Sequence, residues 1–116
     1  MNKKLLFLSI FLVSCTTNDT KFINCISSRS DTYFNAKYDY FSGSKTYKIE
    51  LKENNSIKVE IVTYDGILKI NVYDNTSSYY QGNIDQNMNF SLNLNKGKYQ
   101  VELKSDKHQG SYSFSW

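Results

Sequence analysis

From Thr32 to Trp116 the apolar residues fall at every second position, and this alternation leaves few folds open. The runs are Phe34, Ala36, Tyr38 and Tyr40; Tyr47, Ile49 and Leu51; Ile57, Val59 and Ile61; Leu68, Ile70 and Val72; Met88, Phe90, Leu92 and Leu94; Tyr99, Val101 and Leu103; and Tyr112, Phe114 and Trp116. Successive side chains of a strand point to opposite faces, so each run reads as a strand with one apolar face. None carries the i, i+3, i+4 spacing of a helix. Proline is absent, so nothing interrupts a strand, and Gly43, Gly66, Gly82, Gly97 and Gly110 lie between runs, where turns are expected. About seven or eight half-buried strands at short spacing predict an all-β fold, an antiparallel, jelly-roll-like β-sandwich over residues 32–116.

Within that pattern Asp65-Gly66 is the strongest local signal. A two-residue type I′ turn needs positive φ at both central positions, and Asp-Gly supplies it. The register it sets pairs Thr63 with Leu68, Ile61 with Ile70 and Val59 with Val72. All the strong hydrophobes of Ser56–Asp74 then share one face, with Lys58, Glu60, Lys69 and Asn71 on the other. A slip of one residue would invert every side chain.

A domain of this size buries only a little over 60% of its extended-chain surface. Roughly 20 inward side chains must then offset the ordering entropy. Large rings suit that demand, and ten tyrosines and seven phenylalanines are present. Most of them are therefore expected in the core or on the sheets. Tyr64 and Tyr73 are out of phase with the core set and are expected to face outward.

The amino terminus, MNKKLLFLSIFLVS, has two lysines followed by an apolar run from Leu5 to Val13. The run is far short of the ~20 residues that cross a bilayer, so residues 1–14 read as a signal peptide. Leu12-Val13-Ser14-Cys15 resembles the bacterial lipobox. The resemblance implies a diacylglycerol thioether on the Cys15 sulfur, cleavage before it, acylation with palmitate-type chains, and attachment to the membrane. Two or more acyl chains at about 0.8 kcal/mol per buried CH₂ hold a protein lastingly where one would not. The expected address is the bacterial cell envelope, lipid-anchored at the outer membrane or cell surface.

Residues 15–31 lack a sustained apolar period and read as a flexible tether. Phe22, Ile23 and Ile26 are too apolar for a pure spacer and either dock on the domain or lie near the membrane. With Cys15 acylated, Cys25 is left odd, which suggests a free thiol or an intermolecular bridge. The formal charge of +3 includes Lys3 and Lys4. Their removal leaves a nearly neutral chain with mixed signs, so nothing points to nucleic acid.

Several stretches together resemble the bacterial pre-peptidase C-terminal domain, a β-sandwich appended to secreted peptidases and surface proteins. They are Tyr47-Lys48-Ile49-Glu50-Leu51, the run from Asp65 to Asp74, and Asn93 to Val101 followed by Gly110-Ser111-Tyr112-Ser113-Phe114. Some members bind calcium through acidic loops, and some bind collagen or polysaccharide. Asp65 matches one acidic position, but its companions are not evident. A hard cation wants six to eight oxygens, so no metal and no cofactor are expected here.

Enzymatic chemistry finds little support. His108, the single histidine, sits in Ser105-Asp106-Lys107-His108-Gln109-Gly110, which reads as an exposed turn. No nucleophile motif accompanies it. Glu50, Glu53, Glu60 and Glu102 lie among lysines and read as solvated cross-strand charges. The expected function is that of a non-catalytic interaction or accessory module with an envelope protein or polysaccharide as partner. The alternative is a carbohydrate- or peptide-binding module using an exposed patch of Tyr64, Tyr73, Tyr79 and Tyr80. Asn75, Gln81 and Asn83 are then nearby for hydrogen bonds.

Overall fold

The computed structural model describes residues 20–116. The signal peptide, Cys15 and the first residues of the tether lie outside the described residues. Eight strands follow in order: β1 (Lys21–Ile23), β2 (Ile26–Arg29), β3 (Tyr33–Leu51), β4 (Asn55–Asp65), β5 (Leu68–Tyr73), β6 (Ser78–Ile84), β7 (Met88–Leu94) and β8 (Gly97–Ser115). Every pairing is antiparallel.

The sandwich expected from the alternation is present, and two long strands build it. β3 and β8 pair along almost their whole length, and each runs through both layers. The first layer is ordered β2, the start of β3, the end of β8, β4, β7. The second is ordered the end of β3, the start of β8, β5, β6. The register of β3 against β8 shifts between Tyr38 and Gly43, and this irregularity marks the bend where both strands change layer. An extra residue in a ladder bends the strand and inverts its facing side. The buried positions accordingly change parity, from Phe34, Ala36 and Tyr38 to Phe41, Tyr47, Ile49 and Leu51 in β3. In β8 they change from Tyr99, Val101 and Leu103 to His108, Tyr112 and Phe114.

Twenty hydrophobic side chains among the described residues are buried in one cluster, matching the demand set by domain size. The ring of Phe34 stacks on Tyr47 at 3.8 Å and on Phe114 at 4.8 Å, joining residues from both halves of β3. The hydroxyls of Tyr47 and Tyr112 meet at 2.7 Å inside the core. Met88, Phe90 and Leu92 are only partly buried, because β7 is an edge strand.

Five expectations are corrected. Asp65-Gly66 does not close a hairpin: β4 pairs with β7 and β8, whereas β5 pairs with β6 and β8. The two strands lie in opposite layers, and the chain from Asp65 to Leu68 arches between them beside the bend of β8. The positive φ of Gly66, +83°, serves the arch, where a Cβ would stand 1.9 Å from the Lys107 carbonyl oxygen. Alternation decides which face a residue takes and leaves the neighbouring strand open, so Val59, Ile61, Leu68, Ile70 and Val72 are buried as expected.

Gly43, Gly82 and Gly110 likewise lie inside strands β3, β6 and β8 rather than in turns. Gly110 has φ +151°, and a Cβ there would stand 1.8 Å from the Val62 carbonyl oxygen, so its bareness lets β4 approach β8 at the bend.

The stretch read as tether supplies β1 and β2, both paired to β3. Phe22 stacks on Phe41 at 4.5 Å and meets Tyr38 edge-on at 5.3 Å, so the apolar residues there dock on the domain. Thr20 Oγ1 donates to the Ser44 carbonyl, and the Arg29 guanidinium donates to the Lys48 carbonyl, extending that docking at both ends. Cys25 packs against the core, and no cysteine among the described residues is a free thiol, which removes the odd thiol expected there.

Finally, His108 is fully buried rather than exposed in a turn. Its Nδ1 lies 2.7 Å from the Tyr38 hydroxyl and its Nε2 lies 2.9 Å from Thr63 Oγ1.

Candidate functional site

The second layer has two ends. One is the bend; the other carries the connection from β5 to β6, and here a side-chain arrangement suited to ligand binding is built. Asp74 closes that connection: its amide donates to the Ser77 carbonyl at 2.9 Å. Its Oδ1 accepts from the Thr76 amide, the Thr76 hydroxyl and the Ser77 amide, each at 2.9 Å. Asp folds its own backbone in this way because the short carboxylate reaches amides two and three residues on.

The second oxygen, Oδ2, accepts from the Tyr79 hydroxyl at 2.6 Å. That hydroxyl, followed by the Thr76 amide, holds the Asp74 carboxyl down at about 2, and the same contact raises the Tyr79 phenol. The ring of Tyr79 also stands edge-on to Tyr99 at 5.3 Å. Tyr99 is fixed in turn by donating to the Asn95 carbonyl at 2.7 Å. Tyr79 is 43% exposed, an aromatic face held by two contacts and open to solvent.

Beside this pair runs a shallow groove of about 670 Å³, lined by Lys48, Glu50, Asp74, Asn75, Lys98 and Gln100 among others. Tyr73 adjoins it and donates to Gln100 Oε1 at 3.3 Å. Ammonium groups, carboxylates and amides thus line one groove. That set can both donate to and accept from a ligand rich in hydroxyls.

Of the four tyrosines singled out in the sequence, the fold brings Tyr73 and Tyr79 together at this end. Tyr80 points inward: its ring lies 4.9 Å from Phe90, closing the open side of the sandwich, and burial raises its phenol. Tyr64 is 71% exposed as expected, but it sits near the end of β4, in the other layer beside the bend. β5 alone separates the bend from Tyr73 by about 17 Å at the rise of a strand. Asn75 lines the groove, while Gln81 and Asn83 lie in a separate hollow beside Asn71. Tyr99 was missed, because its place in a run of core residues hid its contact with Tyr79. Asp74 was missed too, although an Asp followed by Asn-Thr-Ser is a turn signal.

Among the described residues no group of three His, Cys, Asp or Glu side chains is arranged to hold a metal ion. The Asp65 carboxylate accepts from the Gly66 amide at 3.0 Å and so helps to shape the arch.

The sequence matches no known family model and no curated protein. Among solved structures, the chain is similar to the pre-peptidase C-terminal domain of a collagenase from Bacillus anthracis. The TM-score is 0.51 at 14% identity, over 81% of this chain and 88% of that one. It is also similar to the carbohydrate-binding module TmCBM61 in complex with β-1,4-galactotriose, at a TM-score of 0.48 and 12% identity, over 82% and 81% of the two chains. A family 35 carbohydrate-binding module from Clostridium thermocellum gives 0.44 at 13% identity, over 84% and 92%. At 14% identity the likeness to the collagenase domain speaks for the shared fold alone, a β-sandwich.

Proposed function

We propose that this chain is a non-catalytic binding module that presents its sandwich from the bacterial cell envelope and takes a carbohydrate in the groove beside Tyr79. The observation that carries the reading is the preorganised ring of Tyr79, held by Asp74 and Tyr99 yet open to solvent. The apolar faces of sugar rings stack on such a ring, and a ring already fixed loses little freedom on binding. Lys48, Glu50, Asn75, Lys98 and Gln100 line the adjoining groove and offer partners for the hydroxyls. The buried position of His108, bonded at both nitrogens, removes the only histidine from any surface hydrolytic arrangement.

The test is gel retardation of the protein in matrices containing soluble xylan, galactan, β-glucan or peptidoglycan fragments. Retardation by at least one matrix, lost in Tyr79→Ala and kept in Tyr64→Ala, is the expected result. Retardation by none, or retardation indifferent to Tyr79→Ala, overturns the reading.

The anchor rests on Leu12-Val13-Ser14-Cys15, which places a thiol where lipoprotein processing needs one. Intact mass of the protein from its native membrane should show loss of residues 1–14 and the added mass of acyl chains on Cys15. One sulfur cannot hold both a thioether to diacylglycerol and a bridge to Cys25. A Cys15–Cys25 disulfide, or an intact signal, would therefore overturn the anchor while leaving the groove untouched.

A further inference from the structure

β7 is a free edge of the first layer. Among the described residues it pairs with β4 alone, and no backbone hydrogen bond outside the ladders reaches it. Such an edge presents a row of unpaired N–H and C=O groups, and proteins guard it with short strands, charges, proline or bulges. The opposite edge of the layer is guarded in this way. β1 and β2 are three and four residues long, they carry Lys21 and Arg29, and Asn24 at φ +53° breaks the line between them. β6, the edge of the second layer, carries Gly82 and a register shift against β5. β7 has none of these devices. Its seven residues hold no charge and no proline, and they follow β4 without a register shift.

The order of its residues says what fits there. Met88–Leu94, MNFSLNL, has the same pattern from either end: Ser91 at the centre, Asn89 and Asn93 beyond it, and apolar residues between and outside them. Antiparallel pairing of two copies about a two-fold axis at Ser91 sets Ser91 opposite Ser91, Asn89 opposite Asn93, Phe90 opposite Leu92 and Met88 opposite Leu94. Every pair is then like with like, as an interface between identical surfaces requires. Both members of each pair also share parity, so the unpaired N–H and C=O groups of one copy meet those of the other. Met88, Phe90 and Leu92, half-buried at the edge, gain cover on the core side. Asn89, Ser91 and Asn93 are exposed and can hydrogen-bond across the seam on the outer side.

Charge gives the pairing its direction. Asp85 precedes β7 and Lys96 follows it, and neither makes an ion pair among the described residues. Antiparallel pairing lays the Asp85 end of each copy beside the Lys96 end of the other, whereas parallel pairing would bring like charges together. We infer that β7 pairs with the β7 of a second copy of this chain, joining two sandwiches into a two-fold dimer with a continuous first layer. β7 contributes no residue to the groove beside Tyr79, so the inference is independent of the carbohydrate reading.

The test is sedimentation equilibrium of the full chain in a density-matched detergent over a range of protein concentrations. The wild type should follow a monomer–dimer equilibrium. Ser91→Lys sets two ammonium groups opposite one another and should weaken the dimer about tenfold or more. Ser91 is exposed on the outer face, so circular dichroism and Tm should hold in that variant. Asn83→Lys puts the same charge on the exposed face of β6 and should leave the dimer intact. Ser91→Cys keeps the edge uncharged and sets the two sulfurs on Cα atoms about 4.5–5.5 Å apart, within the span of a disulfide. Mild oxidation should then give a covalent dimer, reversed by dithiothreitol and absent from the wild type. A monomer at every concentration, a dimer unmoved by Ser91→Lys or lost equally in Asn83→Lys, or no cross-link through Ser91→Cys overturns the inference.

Discussion

Tyr38 and His108 are 70 residues apart in sequence, yet the Tyr38 hydroxyl lies 2.7 Å from His108 Nδ1 at the bend shared by the two long strands. Thr63, from β4, closes the ring from the other side at 2.9 Å. Three strands are thereby joined through one fully buried imidazole. A neutral imidazole has one donor and one acceptor nitrogen, and two hydroxyls can satisfy both.

Burial lowers the His108 pKa to about 4 from its ordinary 6.5. As pH falls below 6.5 the unfolded chain takes up a proton that the folded one refuses. The stability linked to this group is therefore complete above pH 6.5 and is lost as pH falls through about 4, about 3 kcal/mol in total. Urea unfolding at pH 7.5, 5.5 and 4 should show this decline in the wild type. In His108→Gln the same series should be flatter, carrying only the carboxylate contribution. Parallel curves for the two proteins would mean that the imidazole is not buried neutral.

Gly66 and Gly110 should resist any side chain. A Cβ at either would stand within 2 Å of a carbonyl oxygen, 1.9 Å from Lys107 and 1.8 Å from Val62. Both contacts are with backbone, which cannot swing aside. Gly66→Ala and Gly110→Ala should each cost about 2–4 kcal/mol in chemical denaturation.

The buried hydroxyls of Tyr47 and Tyr112 satisfy one another at 2.7 Å. Tyr47→Phe or Tyr112→Phe alone orphans the partner and should cost about 1–3 kcal/mol. The double variant should cost less than the two single losses added, giving a favourable coupling energy in a double-mutant cycle. Simple additivity would show that the pair is not formed.

Asp74→Ala should free the connection between β5 and β6. The amides of Thr76 and Ser77, which donate to its carboxylate, should exchange with deuterium faster, and Tyr79 should lose its fixed orientation. Asp74→Asn keeps an acceptor at Oδ1 and should retain most of the amide protection. Equal exchange in all three proteins would show that the carboxylate does not shape the groove.

Phe22→Ala tests whether the segment before residue 32 belongs to the domain. Phe22 stacks on Phe41 at 4.5 Å, and its truncation should lower stability by about 2 kcal/mol. A true tether residue would change nothing.

The layers were legible in the sequence because period two dictates facing, and facing survives any choice of neighbour. The pairing of β4 was not, since an arch and a hairpin ask the same positive φ of Gly66. One signal pointed the right way. The inward positions run on odd numbers through Tyr99, Val101 and Leu103 and on even numbers through Tyr112 and Phe114. A parity change without proline or a strong turn is what a bulge in one continuous strand produces. The same change separates Tyr38 from Tyr47 in β3. Taken together, the two would have placed His108 inside the bend. For the candidate site, Tyr79 carried its own signal as an aromatic next to a turn. Of its support, Asp74 carried a turn signal in Asp74-Asn75-Thr76-Ser77, whereas Tyr99 meets Tyr79 only through the register of β5, β6 and β8.

Backbone NOEs across the strands test the shared-strand architecture most directly. The account predicts cross-strand contacts between Val59 and Phe114 and between Ile61 and Tyr112 in one layer, and between Ile70 and Leu103 and between Val72 and Val101 in the other. Cross-strand contacts joining Val59 to Val72 and Ile61 to Ile70 would make β4 and β5 a local hairpin and contradict it.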